Sequence, residues 1–316
     1  MKSTRLRMLI LDISFFLLVF LVISAAAAGT DDTITKSFTV EPGGTLNIET
    51  ERGSIEVRAE AGNKVDIEVI REVKSSDKEK AQKILDNFRI DFHQSGNNVF
   101  VKAEKTYKES IWDKIWNRLN VKFIVTVPER FNIEFKTSGG SISVEGLEGN
   151  VDVHTSGGSL RLDNITGPVM GRTSGGSITI GQVEGDVDVH TSGGSIHIER
   201  VAGIVNADTS GGSIAVEEVM GTIQANTSGG SIKAAISRQP RSDCRLTTSG
   251  GSVTVYLAED IAADVEAGTS GGRIHTDFPV TLKGKIDPRK LQATINGGGP
   301  LLYLHTSGGS IYLKKR

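Results

Sequence analysis

A five-residue motif, T-S-G-G-[SR], recurs along this chain and constrains its fold more than any other feature. The motif begins at Thr137, Thr155, Thr173, Thr191, Thr209, Thr227, Thr248, Thr269 and Thr306. The first five steps between these positions all equal 18, and the last three are longer, at 21, 21 and 37. A fixed period of this length is typical of a solenoid, in which each repeat forms one coil stacked on the next.

Each repeat contains two short runs in which apolar and polar residues alternate. In the first repeat these runs are centred on Ile142 with Val144 and on Val151 with Val153. Alternation of β-branched residues predicts strands, and the glycine-rich stretches between the runs predict turns. One repeat is therefore expected to form two strands and two turns.

The tandem glycines have two possible explanations. Glycine adopts positive φ without a steric penalty, and a turn stacked on an identical turn leaves little room for side chains. The neighbouring Thr and Ser hydroxyls are expected to form ladders between coils that satisfy the polar backbone groups of the turns.

A single repeat cannot fold alone, because burial of its few aliphatic side chains does not offset the entropy of ordering a whole coil. Stacked repeats share a core and a parallel hydrogen-bond ladder. The predicted fold class is therefore all-β, a parallel β-solenoid (β-helix) with about 18 residues per coil. We expect it to be right-handed, because parallel crossover connections are overwhelmingly right-handed.

Residues 1–28 have the pattern of a secretory signal peptide. Three basic side chains lie near the N-terminus, an apolar run follows at Ile13–Ile23, and small residues for cleavage lie at Ala25–Ala28. This order is typical of export signals, and the alternative is an anchor retained in the membrane. We therefore expect an exported protein, in the periplasm, on the cell surface or outside the cell.

The single cysteine, Cys244, occupies the repeat position of Val151. That position points inward, so Cys244 is expected to be a small buried hydrophobic residue. One cysteine forms no internal disulfide.

Charge is unevenly distributed along the chain. Residues 137–280 carry 8 basic and 17 acidic groups, a net charge of −9, whereas residues 281–316 carry 7 and 1, a net charge of +6. An acidic repeat region argues against nucleic acid as a partner. The basic end is expected either to contact an anionic surface or to keep the last edge of the solenoid soluble.

A degenerate copy of the repeat lies near the N-terminus, where Thr50 corresponds to Thr137 and Ile55 to Ile142. The solenoid is thus expected to begin near residue 45, within an N-terminal region at 29–136, ahead of the repeat solenoid at 137–316. An insertion at about 60–127 is expected to form a small α+β cap. Its predicted parts are a strand at 65–69, a helix opened by a capping box at Ser76–Glu79 with Ala81, Ile84, Leu85 and Phe88 on one face, a hairpin at 90–101 and a strand at 121–127. At the other end of the chain, Leu302 with Leu304 and Ile311 with Leu313 restore the repeat pattern.

Both tryptophans, Trp112 and Trp116, lie at helical spacing in residues 107–120. One interpretation is a binding site, an amphipathic segment that contacts a membrane interface or a ligand. The other is a helix packed over the end of the solenoid.

The sequence predicts no catalytic residues, no cofactor and no metal site. His154, His190 and His305 each precede a turn threonine, with Arg172 between the first two, and so form one outward column. Two histidines separated by a whole coil are about 9–10 Å apart, too far to share a zinc ion with bonds of about 2 Å. We interpret them as solvated surface residues.

The block V-P-x-x-F-x-I-x-F-x-T-S-G-G-S-I at 127–142, with the repeated T-S-G-G-S-[IVL] after it, resembles the bacterial domain-of-unknown-function 4097 family. That family is also labelled adhesin-like or β-strand repeat. The resemblance covers about 33–316 and implies a β-solenoid at the cell envelope, with no agreed catalytic residues.

The expected function is thus an exported, non-enzymatic, adhesin-like binding or structural protein. Its partner would be a glycan or another envelope protein. The alternatives are a glycan-active β-helix enzyme, and a scaffold or accessory to an envelope stress sensor. A single groove that gathers carboxylates with basic residues would favour the enzyme.

Overall fold

The computed structural model describes residues 31–106, 117–283 and 287–316. They form an all-β, solenoid-like fold with two long, mostly parallel sheets, which confirms the predicted fold class at this level. The predicted signal peptide, residues 1–28, lies outside the described residues.

The elements fall into three groups along the chain. The N-terminal elements are β1 (Asp31–Thr39), β2 (Thr45–Thr50), β3 (Ser54–Glu60), β4 (Lys64–Val73), α1 (Lys78–Asp86), β5 (Phe88–Ser95), β6 (Asn98–Lys105) and β7 (Leu119–Pro128). The repeat strands are β8 (Asn132–Thr137), β9 (Ile142–Glu145), β10 (Val151–Thr155), β11 (Leu160–Asp163), β12 (Ile165–Thr166), β13 (Val169–Thr173), β14 (Ile178–Glu184), β15 (Val187–Thr191), β16 (Ile196–Val201), β17 (Val205–Thr209), β18 (Ile214–Val219), β19 (Ile223–Thr227) and β20 (Ile232–Ile236). The C-terminal strands are β21 (Cys244–Thr248), β22 (Val253–Leu257), β23 (Ala263–Thr269), β24 (Ile274–Thr276), β25 (Thr281–Leu282), β26 (Lys290–Ile295), β27 (Leu301–Thr306) and β28 (Ile311–Lys315).

From β7 to β24, successive strands alternate between the two sheets, except that β11 and β12 both belong to sheet I. Sheet I has the order β1-β4-β7-β3-β9-β11-β14-β16-β18-β20-β22-β28-β24, with β12 beside β14. Sheet II has the order β25-β26-β23-β27-β21-β19-β17-β15-β13-β10-β8-β2-β6-β5. Repeat strands pair in parallel with the strands one repeat away, so Leu160 lies between Ile142 and Ile178 in sheet I. These three residues therefore share one layer, as expected for stacked 18-residue repeats.

The core consists of aliphatic columns between the sheets, and Ile142, Leu160 and Ile178 are each at most 1% exposed. A further column follows the first strand of each repeat, where Leu147, Ile165 and Val183 are buried. Each such side chain contributes about 1.5–3 kcal/mol when fully buried. Cys244 is buried as predicted.

The T-S-G-G turns stack through the predicted hydroxyl ladder. The Thr155 Oγ1 hydroxyl donates to the Gly140 carbonyl at 2.7 Å and accepts from the Gly158 N–H at 3.2 Å. Within the described residues, no glycine of these turns has positive φ. The expectation of left-handed glycines is therefore wrong. Close stacking requires the second glycine of each turn, where a Cβ would meet the backbone of the neighbouring turn.

At the N-terminal end, the stacking order differs from the chain order. Strands β6 and β7 stack in parallel outside β2 and β3, with Val99 beside Leu46 and Phe123 beside Ile55. The chain thus moves outward by one coil before it returns to β8. Antiparallel strands β5, β4 and β1 then cover this end.

The helix and hairpin of this region form largely as predicted. Helix α1 buries Ala81, Ile84 and Leu85 as predicted, whereas Phe88 does not belong to its face because the helix ends at Asp86 and Phe88 begins β5. Its N-cap is Asp77, whose side chain accepts the Lys80 N–H at 3.2 Å, one position later than the predicted Ser76. The hairpin between β5 and β6 closes in the predicted turn.

At the C-terminal end, the last two strands do not end the stack. Strand β27 lies between β21 and β23, and β28 lies between β22 and β24. Ile311 accordingly pairs with Val253 on one side and Ile274 on the other. The coil formed by β23 and β24 is the outer one, and antiparallel β26 covers its sheet II strand.

Candidate functional site

A groove with a cavity volume of about 570 Å³ runs along the outer face of sheet II, near the N-terminal end. Its walls come from β2, β6, β8, β10, β13 and β15 and from the turns that follow them. Outward residues on successive strands align in columns, because parallel pairing repeats one register from coil to coil. The repeats therefore line the groove with one strand position and one turn position, and a second outward strand position lies beside the lining.

The first column is basic. Direct Cα partners on β8, β10, β13 and β15 are Lys136, His154, Arg172 and His190. Strands lie about 4.8 Å apart, so the run is about 14 Å long. Acidic residues flank it, since the register places Glu49 before Lys136 and Asp208 after His190. The histidine column predicted from the sequence is confirmed, with Arg172 within it.

The second column, two positions earlier on each strand, is largely acidic. Three contacts link it to the basic column. Two are ion pairs, Lys136 Nζ–Glu134 Oε1 at 3.6 Å and Arg172 Nη2–Asp188 Oδ2 at 3.7 Å, and the third joins His154 Nε2 to Asp152 Oδ1 at 3.1 Å. All six side chains are partly exposed to solvent. These acidic side chains lie beside the groove and are not part of its lining, whose own carboxylates are Glu49, Glu51 and Glu104.

The turn position supplies hydroxyl groups. The first serine of each T-S-G-G turn in this part of the chain is exposed, and four of them line the groove: Ser138, Ser156, Ser174 and Ser192. Hydroxyl, carboxylate, imidazole and guanidinium groups together offer both donors and acceptors. This arrangement suits a ligand with many hydroxyls in a repeating chain.

Carboxylates gather at the N-terminal end of the groove, where Glu49, Glu51 and Glu104 lie near Lys102. Lys102 Nζ lies 2.9 Å from Glu104 Oε2, and this hydrogen bond raises the pKa of the lysine. The gathering of acids and bases is the feature expected of the enzyme alternative. Glu49 and Glu51 are, however, exposed, whereas a general-acid carboxyl needs a desolvated site that keeps it protonated.

Aromatic side chains cluster at the opposite end of the molecule, which sequence reasoning missed. Tyr256, His275 and Tyr312 lie on neighbouring strands of sheet I, although they are far apart in the sequence. On sheet II, the Arg245 guanidinium lies 4.3 Å from the centroid of the Tyr303 ring. The insertion of β27 and β28 brings these residues together, and the spacing of the repeats does not indicate that insertion.

Trp112 and Trp116, the predicted binding residues, lie outside the described residues. Within the described ranges, no group of three or more His, Cys, Asp or Glu side chains could hold a metal ion. None of the helices described there is long and apolar enough to span a bilayer.

No curated protein matches the sequence. Among solved structures, one named "putative lipid binding protein" from Parabacteroides distasonis ATCC 8503 aligns with a TM-score of 0.47 and 13% identity, over 89% of this chain and 96% of that one. Another, named "putative adhesin" from Bacteroides fragilis NCTC 9343, aligns with a TM-score of 0.43 and 15% identity, over 90% and 97%.

The family model described as Toastrack DUF4097 matches residues 44–314. This match includes every T-S-G-G turn and the strands that build the groove. The chain therefore belongs to the Toastrack DUF4097 family, as the resemblance of its repeats implied.

Proposed function

We propose that the protein is exported and acts without catalysis as an adhesin-like binding protein of the cell envelope, with a glycan as its partner. The observation that carries this proposal is the groove on sheet II, in which basic side chains and turn hydroxyls repeat at the coil spacing. That spacing is close to the length of one hexose residue in an extended chain. Each coil can then meet each sugar with one basic side chain and one turn hydroxyl.

The groove suits weak, repeated contacts. Its described lining contains no Phe, Tyr or Trp ring, so hydrogen bonds rather than ring stacking would hold the sugar. Single exposed polar contacts contribute little, about 0.5–1.5 kcal/mol each. Several in a row raise the overall affinity through avidity. Such binding fits an attachment protein better than an enzyme.

Export and architecture complete the proposal. The basic start, apolar run and alanines of residues 1–28 support a cleaved signal peptide. The 18-residue register of the repeat supports a solenoid with that coil length, and the preference of parallel crossovers supports a right-handed one. The repeat region has a net negative charge, which disfavours nucleic acid as a partner because nucleic-acid binding needs a basic surface. We also propose that residues 107–120, which carry both tryptophans, contact the membrane interface.

The test compares two arginines on the same coil. Arg172 lies in the groove, and Arg161 is exposed on the outer face of sheet I. The purified protein is applied to a glycan array, followed by Arg172→Ala and Arg161→Ala. We expect binding to at least one glycan, weakened several-fold by Arg172→Ala and unchanged by Arg161→Ala. No retained glycan, or equal losses in the two variants, would overturn the proposal.

The second candidate is a glycan-active enzyme in the same groove, favoured by Glu49, Glu51 and Glu104 beside Lys102. It differs in one measurable outcome, because an enzyme releases new reducing ends from its glycan. We expect none to appear when the protein is incubated with the glycans it retains. Release that disappears in Glu49→Gln or Glu51→Gln, with binding kept, would establish the enzyme instead.

A further inference from the structure

The outer face of sheet I ends in a cluster of three rings and two ammonium groups. Tyr256 lies on β22, Tyr312 on β28 and His275 on β24, which are adjacent strands in the sheet. Lys314 is the direct partner of Tyr256, and Lys233 lies one strand further in. We call these five side chains the platform. It lies on the opposite sheet from the groove and shares no residue with it.

Two of the rings stack on each other across neighbouring strands. Tyr312 and His275 are direct cross-strand partners, and their ring centroids lie 5.1 Å apart at an interplanar angle of 10°. His275 is exposed and Tyr312 half-buried. At the same position on preceding repeat strands, the outward residues are Ser143, Arg161, Thr179, His197 and Ala215. The stacked aromatic pair is thus confined to this end of the sheet.

The two ammonium groups face rings rather than carboxylates. Lys233 Nζ lies 5.6 Å from the centroid of the Tyr256 ring, and Lys314 Nζ lies 5.9 Å from Tyr256 and 5.7 Å from Tyr312. Within the part of the chain that the structure describes, neither lysine has an ion-pair partner. Cation–π contacts of this kind are worth about 0.5–1 kcal/mol at exposed sites. They position the two charges without neutralising them.

This combination selects a class of ligand. The C–H face of a sugar ring packs on an aromatic surface by burial of apolar area, and a carboxylate on the same ring would pair with the free ammonium groups. A neutral sugar would use only the rings, and a simple phosphate only the lysines. We propose that the platform is a second binding site, independent of the groove, for a hexuronic acid residue of an acidic polysaccharide.

The test is calorimetric titration of the purified protein with tetragalacturonate and with its methyl ester, which has the same backbone without charge. The acid should bind about tenfold more tightly than the ester, a difference of about 1.4 kcal/mol. The salt dependence of the acid should be steeper, since charge pairing is screened by salt. Absence of binding at millimolar acid, or equal affinity for acid and ester, would overturn the proposal.

Matched variants locate the site. Tyr312→Ala should weaken acid binding about tenfold, or about 1.4 kcal/mol, whereas Tyr312→Phe, which keeps the ring, should leave it unchanged. Lys314→Gln should weaken binding several-fold and flatten its salt dependence. Arg161→Gln removes the same charge elsewhere on sheet I and should have no effect. If Arg161→Gln matches Lys314→Gln, or if the groove variant Arg172→Ala abolishes acid binding, the platform is not the site. Lys314→Gln keeps the test decisive if Tyr312→Ala fails to fold.

Discussion

Gly158 lies so close above Gly140 that a Cβ atom at position 158 would come within 2.0 Å of the Gly140 carbonyl oxygen. Its neighbour Gly157 has room, because a Cβ there would lie 3.8 Å from the Ser138 carbonyl oxygen. We therefore expect Gly158→Ala to lower the free energy of unfolding by about 3 kcal/mol through overpacking. Guanidinium denaturation measures the difference.

Gly157→Ala is the control for that substitution. Gly157 has no positive φ, so alanine can adopt its backbone conformation. The free energy of unfolding should change by less than about 1 kcal/mol. Alanine restricts the unfolded chain more than glycine does, which by itself slightly stabilises the folded protein. Equal losses in the two variants would show that the second glycine is not required by stacking.

The parts of this fold that are set by local spacing could be predicted from the sequence. The alternation around Ile142 and the regular step to Leu160 place both side chains in one layer, because a parallel ladder repeats its register. The order of coils at the ends could not be predicted in the same way. Thr269 and Thr306 carry nearly the same motif, so either unit could stack on Thr248 with similar contacts.

One residue does distinguish the two units. In the described stack, Ser252 Oγ accepts the Ser310 N–H, and Ser310 Oγ accepts the Arg273 N–H. Arg273 replaces the serine of the other units, and no further T-S-G-G turn lies beyond it in the described ladder. A unit without the acceptor hydroxyl is thus suited to the end of the stack. This signal predicts the inserted coil, and with it the proximity of Tyr312 to His275.

The candidate surfaces were only partly predictable for a related reason. The column of His154, Arg172 and His190 follows directly from the repeat spacing. The groove also needs Lys102 and Glu104, which reach it because β6 stacks outside β2. That contact joins residues across the irregular insertion, where no period sets the register.

The threonine ladder should contribute measurably to stability. Thr191 is fully buried, and its Oγ1 donates to the Gly176 carbonyl at 2.8 Å while it accepts from the Gly194 N–H at 3.3 Å. Thr191→Val keeps the shape of the side chain but leaves the Gly176 carbonyl and the Gly194 N–H without their hydroxyl partner. We expect a loss of about 1–3 kcal/mol and faster hydrogen exchange at the Gly194 amide. Ser192→Ala, at the exposed neighbour, should change neither quantity, and a Val variant as stable as the native chain would contradict the ladder's role.

Whole repeats should be removable. Deletion of 192–209 takes out one complete repeat and joins Thr191 to Ser210, so the T-S-G-G turn and the strand register are both kept. Because each repeat contacts mainly its neighbours, the shortened protein should remain folded. Small-angle scattering should show a molecule about 4.8 Å shorter. Deletion of 192–200 is the control, since loss of half a repeat brings two sheet II strands together in sequence and should prevent folding. Global unfolding after the deletion of the complete repeat would refute independent stacking.

Arg316, which follows β28 of the inserted coil, pairs with Glu218 on β18, and the stability from this pair should depend on pH. Arg316 Nη1 lies 2.8 Å from Glu218 Oε1, and this hydrogen bond is the main cause that lowers the pKa of Glu218, followed by one from Ser237. A carboxyl whose pKa is lower in the folded state stabilises the protein above its unfolded pKa of about 4.3, and this contribution is lost as the pH falls through the folded pKa. Arg316→Gln should therefore cost about 0.5 kcal/mol at pH 7, as for a partly exposed pair, and progressively less as the pH falls through the folded pKa of Glu218. Denaturant unfolding at several pH values measures the trend. Lys315→Gln removes the same charge beside the exposed Glu259 and should change stability less; a cost of Arg316→Gln that stays constant with pH would exclude the Glu218 pair as its cause.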